Sequence, residues 1–160
     1  MIAQKLNAGI IGLGVGERHI LGYQSDNRCR VTKICDINKD RLSEVSKKYS
    51  DFELTTNPDE ILNDPSIDIV SIASYDNFHA EQVLKAIQSG KHVFVEKPIC
   101  LFEEELVSIS KALDKNPNVK LSSNFVLRSS PQFIDVKNSM IKKKFGELYY
   151  LEGDYNYGRV

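Results

Sequence analysis

Short apolar runs recur along this chain, and between them the apolar residues recur every three or four positions. The runs, such as "DIVSIA", have the length and composition of strands that are buried on both faces. The intervening segments have the period of amphipathic helices, as do Ala80, Val83 and Ile87 in "NFHAEQVLKAIQSG". Strands alternating with such helices pair in parallel through right-handed crossovers. We therefore predict an α/β fold with a doubly wound parallel sheet.

This sheet is predicted to occupy about residues 1–125. Strands are predicted at Leu6–Ile11 and in "CRVTKICD", "ELTT", "IDIVSIAS", "KHVFVEKP" and "VKLSSNF". Helices are predicted at Glu17–Gln24 and in "NKDRLSEVSKKY", "NPDEILND", "NFHAEQVLKAIQSG" and "FEEELVSISKALDKN". Asn38 suits the N-cap of the second helix, and Gly90 suits the end of the fourth.

Residues 126–160 differ in pattern and are predicted to begin a second α/β domain. A helix is predicted to start near Pro131, and "ELYYLEGDYNYG" alternates as a strand does. On one side this strand would carry Tyr149, Leu151, Tyr155 and Tyr157. A lone strand cannot bury such a face, so we expect residues 147–157 to pair with another copy or to lack order. In the full-length protein we expect a homo-oligomer formed through this sheet.

Composition and charge exclude some classes of partner. The chain has 160 residues, of which 41% are hydrophobic and 27% charged, as is usual for soluble globular proteins. A formal net charge of -1 gives no general attraction to nucleic acid. No apolar run has the length of a membrane span, and the first residues lack the apolar core of a signal peptide. We therefore expect a cytoplasmic protein that binds neither nucleic acid nor membrane.

The cysteines, Cys29, Cys35 and Cys100, are odd in number and lack the spacing of metal ligands. They are predicted to be reduced thiols, and no metal site is expected. A nucleophilic role for Cys100 lacks a neighbouring base pattern.

A glycine-rich turn follows the first predicted strand in "GLGVGERHI". Gly12 allows a tight turn, Gly14 allows a pyrophosphate to approach the backbone, and Gly16 is a further small position. The N–H groups at the start of the next helix can bind phosphate, and Val15 belongs to the same predicted cofactor-binding set. A turn that needs only a positive φ angle would contain the same glycines, so the motif alone leaves both interpretations open.

Asp36 favours a nucleotide because it ends the second strand, 22 residues after Gly14. A carboxylate at this place accepts hydrogen bonds from an adenosine ribose and repels a 2′-phosphate, which favours NAD over NADP. Lys39 and Arg41 follow closely enough to keep NADP possible. Asp36 also fits the role of an acid at a helix N-terminus.

A similar glycine turn and acid occur in S-adenosylmethionine-dependent methyltransferases, which generally place a further acid just before the first glycine. This chain has Ile10 and Ile11 there. The sequence therefore favours a dinucleotide and keeps S-adenosylmethionine as the less favoured alternative.

Polar residues follow the fourth predicted strand, where the ligands of doubly wound sheets bind. Ser74 and His79 can line the nicotinamide half of a cofactor. Alternatively, Asn77 caps the following helix and His79 lies in its first turn. The sequence does not choose between these interpretations.

The fifth strand ends in "VFVEKPI", which places Glu96 and Lys97 at the opening of the sheet. The ammonium can polarise a substrate oxygen, and the carboxylate can position that ammonium. The alternative is a surface ion pair that contributes little. Pro98 fixes the turn and can form a cis peptide.

Together these segments resemble the glucose–fructose oxidoreductase/inositol dehydrogenase/MocA (Gfo/Idh/MocA) family. "GIIGLGVGERHI" resembles its opening strand and glycine turn, including His19 near the start of the helix. "ASYDNFHAEQVLKAIQSGKHVFVEKPIC" resembles the family segment A-T-P-N-x-x-H, a helix, G-K-H-V and E-K-P. "SSNFVLRSSPQF" resembles the family's segment with Asn, Arg and a following proline. The resemblance extends over nearly the whole chain.

The resemblance implies a Rossmann domain and an NAD(P)-dependent oxidoreductase that acts on a sugar, sugar nucleotide or cyclitol. It implies that Lys97 is catalytic and polarises the substrate, that Glu96 lies near the nicotinamide ribose, and that Asp36 lies near the adenosine ribose. Lys97 would also contact the cofactor, and Asn124 and Arg128 would bind substrate at a crevice between domains. The expected cofactor is NAD, with NADP possible.

Three residues depart from the family pattern. Glu17 follows Gly16 in a turn that is one residue shorter, Tyr75 replaces a proline, and Asp76 replaces an asparagine. The family's D-x-x-x-H pair, whose His is often the acid/base, does not occur after residue 128. We therefore expect the chain to be the first half of an enzyme that binds NAD(H) with little or no turnover. The alternative is a non-catalytic nucleotide-binding or interaction module.

Overall fold

A computed structural model of the protein describes residues 5–49, 51–156 and 158, and the chain divides into two units between Asn124 and Phe125. The strands of the first unit are β1 (Leu6–Ile11), β2 (Cys29–Cys35), β3 (Glu53–Thr55), β4 (Ile69–Ile72), β5 (His92–Val95) and β6 (Leu121–Ser123). Its helices are α1 (Glu17–Gln24), α2 (Lys39–Lys48), α3 (Asp59–Leu62), α4 (Asp76–Gln88) and α5 (Glu103–Lys115). Each strand and helix predicted for this unit is present.

The strands form one sheet with the order β3-β2-β1-β4-β5-β6, and each neighbouring pair is parallel. This is the strand order of a Rossmann fold, so the predicted doubly wound parallel sheet is confirmed. The order reverses between β1 and β4, and ligands of such sheets bind beyond the carboxyl ends of the strands at that reversal. The topology therefore brings the ends of β1, β2, β4 and β5 to the same edge.

Alternate residues of the strands pack against helices on opposite faces of the sheet. On one face, Ile10 and Ile34 are fully buried against α1 and α2, which contribute Ile20 and Val45. On the other face, the sheet packs against α3 and α4, and α5 packs against α4. The core there includes Val70, Ile72, Val93, Val95, Ile61, Val83, Ile87 and Ile109. Because helices cover both faces, the central strands are apolar at nearly every position.

The predicted helix-end residues at α2 and α4 are confirmed. The Asn38 side chain accepts hydrogen bonds from the backbone N–H groups of Asp40 and Arg41, at 2.9 and 3.1 Å. Gly90 follows α4 with a φ angle of 74°, the left-handed conformation that glycine adopts without strain.

The predicted Asn77 cap is wrong, because α4 begins at Asp76 with Tyr75 in the N-cap position. The backbone of Tyr75 is extended, and its carbonyl accepts a hydrogen bond from the Phe78 N–H at 2.9 Å. Asn77 therefore lies inside the first turn, where its side chain is exposed.

The second unit contains a 3-10 turn at Val126–Ser129 and helix α6 (Pro131–Ile141), which begins at the predicted residue. The predicted strand is wrong for residues 147–156, which form neither helix nor strand, and Tyr157 lies outside the described residues. Tyr149 is 99% exposed. A strand needs a neighbour to pair its N–H and C=O groups, and the described part of this unit contains no other strand.

Cys35, at the end of β2, is expected to make the protein less stable in alkaline solution. Burial, helped by the Asp36 charge, raises the pKa of its thiol from 9.0 to about 12. Above pH 9.0 the unfolded chain releases this proton while the folded chain keeps it, so the free energy of unfolding falls as pH rises toward 12. The loss attributable to this thiol is at most about 1.4 kcal/mol per pH unit.

Urea unfolding between about pH 8 and pH 11 measures this loss in the wild type and in Cys35→Ala. The variant is expected to lose less stability over this interval. Cys29→Ala removes a half-buried thiol from the same strand and is the matched control, with the wild-type alkaline loss. Equal losses in Cys35→Ala and the wild type would contradict the prediction.

Candidate functional site

The glycine turn between β1 and α1 is shaped by close backbone contacts. Gly12 has a φ angle of 85°, and its N–H donates to the Cys35 carbonyl at 2.9 Å. A Cβ at Gly12 would overlap the Ala73 carbonyl, and a Cβ at Gly16 would overlap the Gly12 carbonyl. The fold therefore requires glycine at both positions, and Gly16 is needed for the turn to close on itself.

Gly14 differs from these two glycines, because a Cβ at Gly14 would meet no protein atom within 4 Å. Gly14 lines a pocket instead, so a side chain here would occupy space that is open to a ligand. This open space beside exposed backbone fits the phosphate approach predicted for Gly14.

Asp36 ties the end of β2 to the glycine turn. Its Oδ2 accepts a hydrogen bond from the Leu13 N–H at 2.7 Å, and its Oδ1 accepts one from the Asn38 N–H at 2.8 Å. Asp36 also lines the pocket. A carboxylate has about four lone-pair sites, so these two bonds leave capacity to accept from a ribose hydroxyl.

The pocket has a volume of about 890 Å³ and lies beyond the ends of β1, β2 and β4. Cofactor and small-molecule sites span about 300–1,000 Å³. The predicted residues that line it are Gly12, Gly14, Val15, Asp36 and Ser74. The predicted residues outside its lining are Gly16, His79, Glu96 and Lys97. Its other lining residues are Ile11, Cys35, Ile37, Asn38, Arg41, Pro58, Ala73, Tyr75, Phe78 and Gln82.

The apolar part of this lining has little sequence signal. Ile37, Tyr75 and Phe78 are 69%, 70% and 43% exposed. Ile37 and Tyr75 lie in the loops after β2 and β4, and Phe78 lies in the first turn of α4, so the three share no helix or strand period. Their position after β2 and β4 is the one available indication, because loops at these strand ends line the sites of doubly wound sheets. Such apolar surfaces suit contact with a flat aromatic ring.

Ser74 is held within the pocket wall. Its hydroxyl donates a hydrogen bond to the Gln82 side-chain oxygen at 2.7 Å, which ties the end of β4 to α4. The hydroxyl oxygen keeps lone pairs that can accept from a ligand.

The Glu96 carboxylate, just after β5, is held by two side chains. Its Oε1 accepts a hydrogen bond from Asn124 Nδ2 at 2.7 Å and lies 3.1 Å from His19 Nε2. His19 Nδ1 lies 2.8 Å from the hydroxyl of Ser71, which is fully buried. A neutral His19 ring that donates to Glu96 accepts the Ser71 hydroxyl proton, so one tautomer satisfies both contacts. His19 and Asn124 therefore orient Glu96 at the strand end.

Lys97 follows Glu96 and is exposed, and the Lys97–Pro98 peptide is cis, as the sequence allowed. The Glu96 carboxylate contacts His19 and Asn124, and within the described residues Lys97 has no ion-pair partner. The alternative of a Glu96–Lys97 surface ion pair is therefore not found. The ammonium retains its donors for a ligand.

His79 is fully buried between two loops. Its Nδ1 lies 2.6 Å from the Pro98 carbonyl oxygen, and its Nε2 lies 3.0 Å from the Ser74 carbonyl oxygen. Both carbonyls only accept, so a neutral ring with one N–H can bond to one of them at a time. The ring lies between the β4 loop and the Pro98 turn and outside the pocket lining, so its contact with the nicotinamide half of a cofactor stays a prediction.

Arg128 belongs to the second unit. Its guanidinium lies 4.6 Å from the centre of the Phe125 ring, a distance typical of a cation–π contact. Its contact with substrate stays a prediction.

Across the part of the chain that the structure describes, no three His, Cys, Asp or Glu residues are grouped as a metal site requires. The three cysteines are free thiols. No helix in the same part is long and apolar enough to span a bilayer.

Similarity to known proteins includes the unit that carries the pocket. A sequence model of an oxidoreductase family with an NAD-binding Rossmann fold, GFO_IDH_MocA, matches residues 6–125. Myo-inositol 2-dehydrogenase of Thermotoga maritima is 29% identical over 149 residues, or 91% of this chain. Scyllo-inositol 2-dehydrogenase (NAD(+)) of Bacillus subtilis is 28% identical over 151 residues, or 93% of this chain. The chain covers 44% of each relative, less than half of their length.

Among solved structures, scyllo-inositol dehydrogenase from Lactobacillus casei, with bound cofactor NAD(H) and scyllo-inositol, is similar with a TM-score of 0.83. The sequences are 26% identical, and the match covers 90% of this chain and 43% of that one. The folds therefore agree over nearly all of the chain.

Proposed function

Because this chain belongs to the Gfo/Idh/MocA oxidoreductase family, whose NAD-binding Rossmann domain it contains, we propose that its pocket holds NAD(H) for the oxidation or reduction of a sugar or cyclitol. One observation supports this proposal above the others. The glycine turn, which leaves open space beside Gly14, and the Asp36 carboxylate line one pocket at the reversal of strand order.

In this proposal, different residues of the pocket bind different parts of the cofactor. The backbone at Gly14 and Val15 and the start of α1 face the pyrophosphate, because unpaired N–H groups and the helix dipole favour an anion there. Asp36 accepts from the adenosine ribose, and the apolar side chains of Ile37 and Phe78 cover the adenine. When bound, NAD(H) supplies the chemistry of hydride transfer.

Lys97 acts on the substrate in this proposal. Its ammonium donates a hydrogen bond to the reacting oxygen of the substrate and stabilises negative charge that develops there. Glu96, which His19 and Asn124 hold in place, faces the nicotinamide ribose and fixes the start of the Lys97 segment. The inositol dehydrogenases among the relatives suggest a cyclitol or sugar as the substrate class.

We further propose that the chain by itself turns over poorly. Its sequence has three histidines, and each has partners within the fold. His19 contacts Ser71 and Glu96, His79 lies between two carbonyls, and His92 Nδ1 accepts a hydrogen bond from the Lys120 N–H at 3.1 Å. A chain with no histidine free to act as the acid/base is expected to lose about 10²–10⁴ in rate.

Calorimetric titration of the chain with NADH, NADPH and S-adenosylmethionine tests the cofactor. We expect NADH to bind more tightly than NADPH and S-adenosylmethionine not to bind. Ile10 and Ile11 precede the turn, and both are buried, so the acid expected for S-adenosylmethionine is missing. Binding of S-adenosylmethionine without NADH would overturn the proposal. Steady-state inositol oxidation by the isolated chain would overturn the proposal of poor turnover and leave the proposal of NAD(H) binding intact.

Asp36→Ala is expected to lower the affinity for NADH about tenfold more than the affinity for NADPH. The substitution removes a charged ribose acceptor, and it also removes the carboxylate that repels a 2′-phosphate. Loss of the bond to Leu13 weakens both cofactors alike, so the ratio of the two Kd values is the measurement. Asp40→Ala removes an exposed carboxylate from α2 and is the matched control. An unchanged ratio of the two Kd values in Asp36→Ala would contradict the proposed hydrogen bonding of Asp36 to the adenosine ribose.

A further inference from the structure

Glu17, the residue that departs from the glycine pattern, begins α1 and points its carboxylate toward α2. Its Oε2 forms an ion pair with Arg41 Nη2, and its Oε1 lies 3.2 Å from Lys48 Nζ. The Glu17 side chain is only 17% exposed. The carboxylate therefore joins the helix that follows the glycine turn to the helix that follows Asp36.

Arg41 lines the pocket, but most of its hydrogen-bonding capacity is engaged. Nε and Nη2 each donate to the Leu13 carbonyl at 3.0 Å, and Nη1 donates to Glu44 at 2.8 Å. Nη2 also donates to Glu17. A guanidinium has five N–H donors, so these four bonds leave at most one for a ligand.

The charges of this cluster cancel. Glu17 and Glu44 balance Arg41 and Lys48, and Lys48 Nζ lies 2.9 Å from Glu44 as well. Asp36, in the same pocket as Arg41, adds one uncompensated negative charge. A 2′-phosphate carries up to two negative charges and needs a free Arg or Lys to bind it. Among the described residues that line the pocket, Arg41 is the one cation and Asp36 the one anion, so the lining offers neither net positive charge nor a free guanidinium.

We propose that Glu17 determines cofactor choice by holding Arg41, which lines the pocket, in an ion pair and so withholding its guanidinium from the 2′-phosphate of NADP. This inference rests on the proposed function, in which the adenosine ribose lies beside Asp36. Asp36 then repels a 2′-phosphate directly, whereas Glu17 acts on Arg41, which would otherwise attract it. The pattern departure at Glu17 becomes a determinant of NAD specificity.

Calorimetric titration of NADH and NADPH into the wild type, Glu17→Gln and Glu17→Gln/Arg41→Met tests this role. Glu17→Gln is expected to strengthen NADPH binding about tenfold, because charge-assisted bonds to phosphate become available, and to change NADH binding by less than about threefold. The double variant is expected to lose this gain. Glu53→Gln removes an equal charge from β3, where Glu53 pairs with Lys33, and is expected to keep the wild-type ratio.

Arg41→Met in the wild-type background gives a second measurement that does not depend on Glu17. A withheld Arg41 contributes little to a 2′-phosphate, so the ratio of NADPH to NADH affinity is expected to change by less than about threefold. A loss of NADPH affinity of about tenfold relative to NADH, or an unchanged ratio in folded Glu17→Gln, would overturn the inference alone. Failure of the wild type to bind NADH would overturn the proposed function together with it.

Discussion

Gly12→Ala is expected to destabilise the protein by about 2–5 kcal/mol and to weaken NADH binding at least about 100-fold. The φ angle of 85° strains any residue with a Cβ, and that Cβ would overlap the Ala73 carbonyl. Neither partner can move freely, because the Ala73 N–H donates to the Ile11 carbonyl at 2.7 Å. The turn must therefore open, which displaces the backbone beside Gly14 from its place in the pocket.

Urea unfolding and NADH titration of Gly12→Ala measure these two effects. Gly22→Ala is the control, because Gly22 is exposed in α1, has no positive φ, and its added Cβ would meet no atom within 4 Å. This control is expected to gain about 0.5–1 kcal/mol from helix propensity. Gly14→Ala is expected to keep the wild-type stability and lose NADH affinity, since only a ligand would meet its Cβ. Wild-type stability and affinity in Gly12→Ala would contradict the prediction.

Lys97→Met is expected to lower kcat by about 10²–10⁴ and to change the Kd of NADH by less than about threefold. The methionine keeps most of the length of the side chain and removes the ammonium that is proposed to polarise the substrate oxygen. Lys97 does not line the pocket, so the variant is expected to retain the proposed cofactor contacts. Turnover is measured in a fusion protein that joins this chain to the remaining part of one of its inositol dehydrogenase relatives.

Lys111→Met is the control for Lys97→Met. It removes an exposed ammonium from α5 and is expected to leave kcat and the Kd of NADH unchanged. Lys97→Arg keeps the positive charge and is expected to recover part of kcat, which a structural role for this lysine would not produce. Wild-type kcat in Lys97→Met would reject the catalytic role.

The helix and strand pattern of the first unit was predictable from sequence because burial on both faces of the sheet determines which residue types occur within each element. Each central strand is covered by helices, so its residues are apolar without alternation, and each helix carries one apolar side. The glycine turn and Asp36 were also predictable, since their chemistry depends on short spacings beside strand ends. The strand predicted for residues 147–157 is wrong over residues 147–156, which the structure describes. Alternating residues indicate an apolar face, but they do not provide the neighbouring strand that must pair with it.

The sequence by itself determined the α/β architecture, the edge of the sheet that carries the pocket, and the candidate residues Gly14, Asp36 and Lys97. Only the tertiary structure decided which side chains from different elements contact one another around them. His19 reaches Glu96 because the strand order places β4 and then β5 next to β1, and Glu17 meets Arg41 because α1 and α2 follow neighbouring strands. The spacing of apolar residues indicates which side of a single helix or strand is buried. An ion pair or hydrogen bond between two elements depends on where the order of strands in the sheet places those elements.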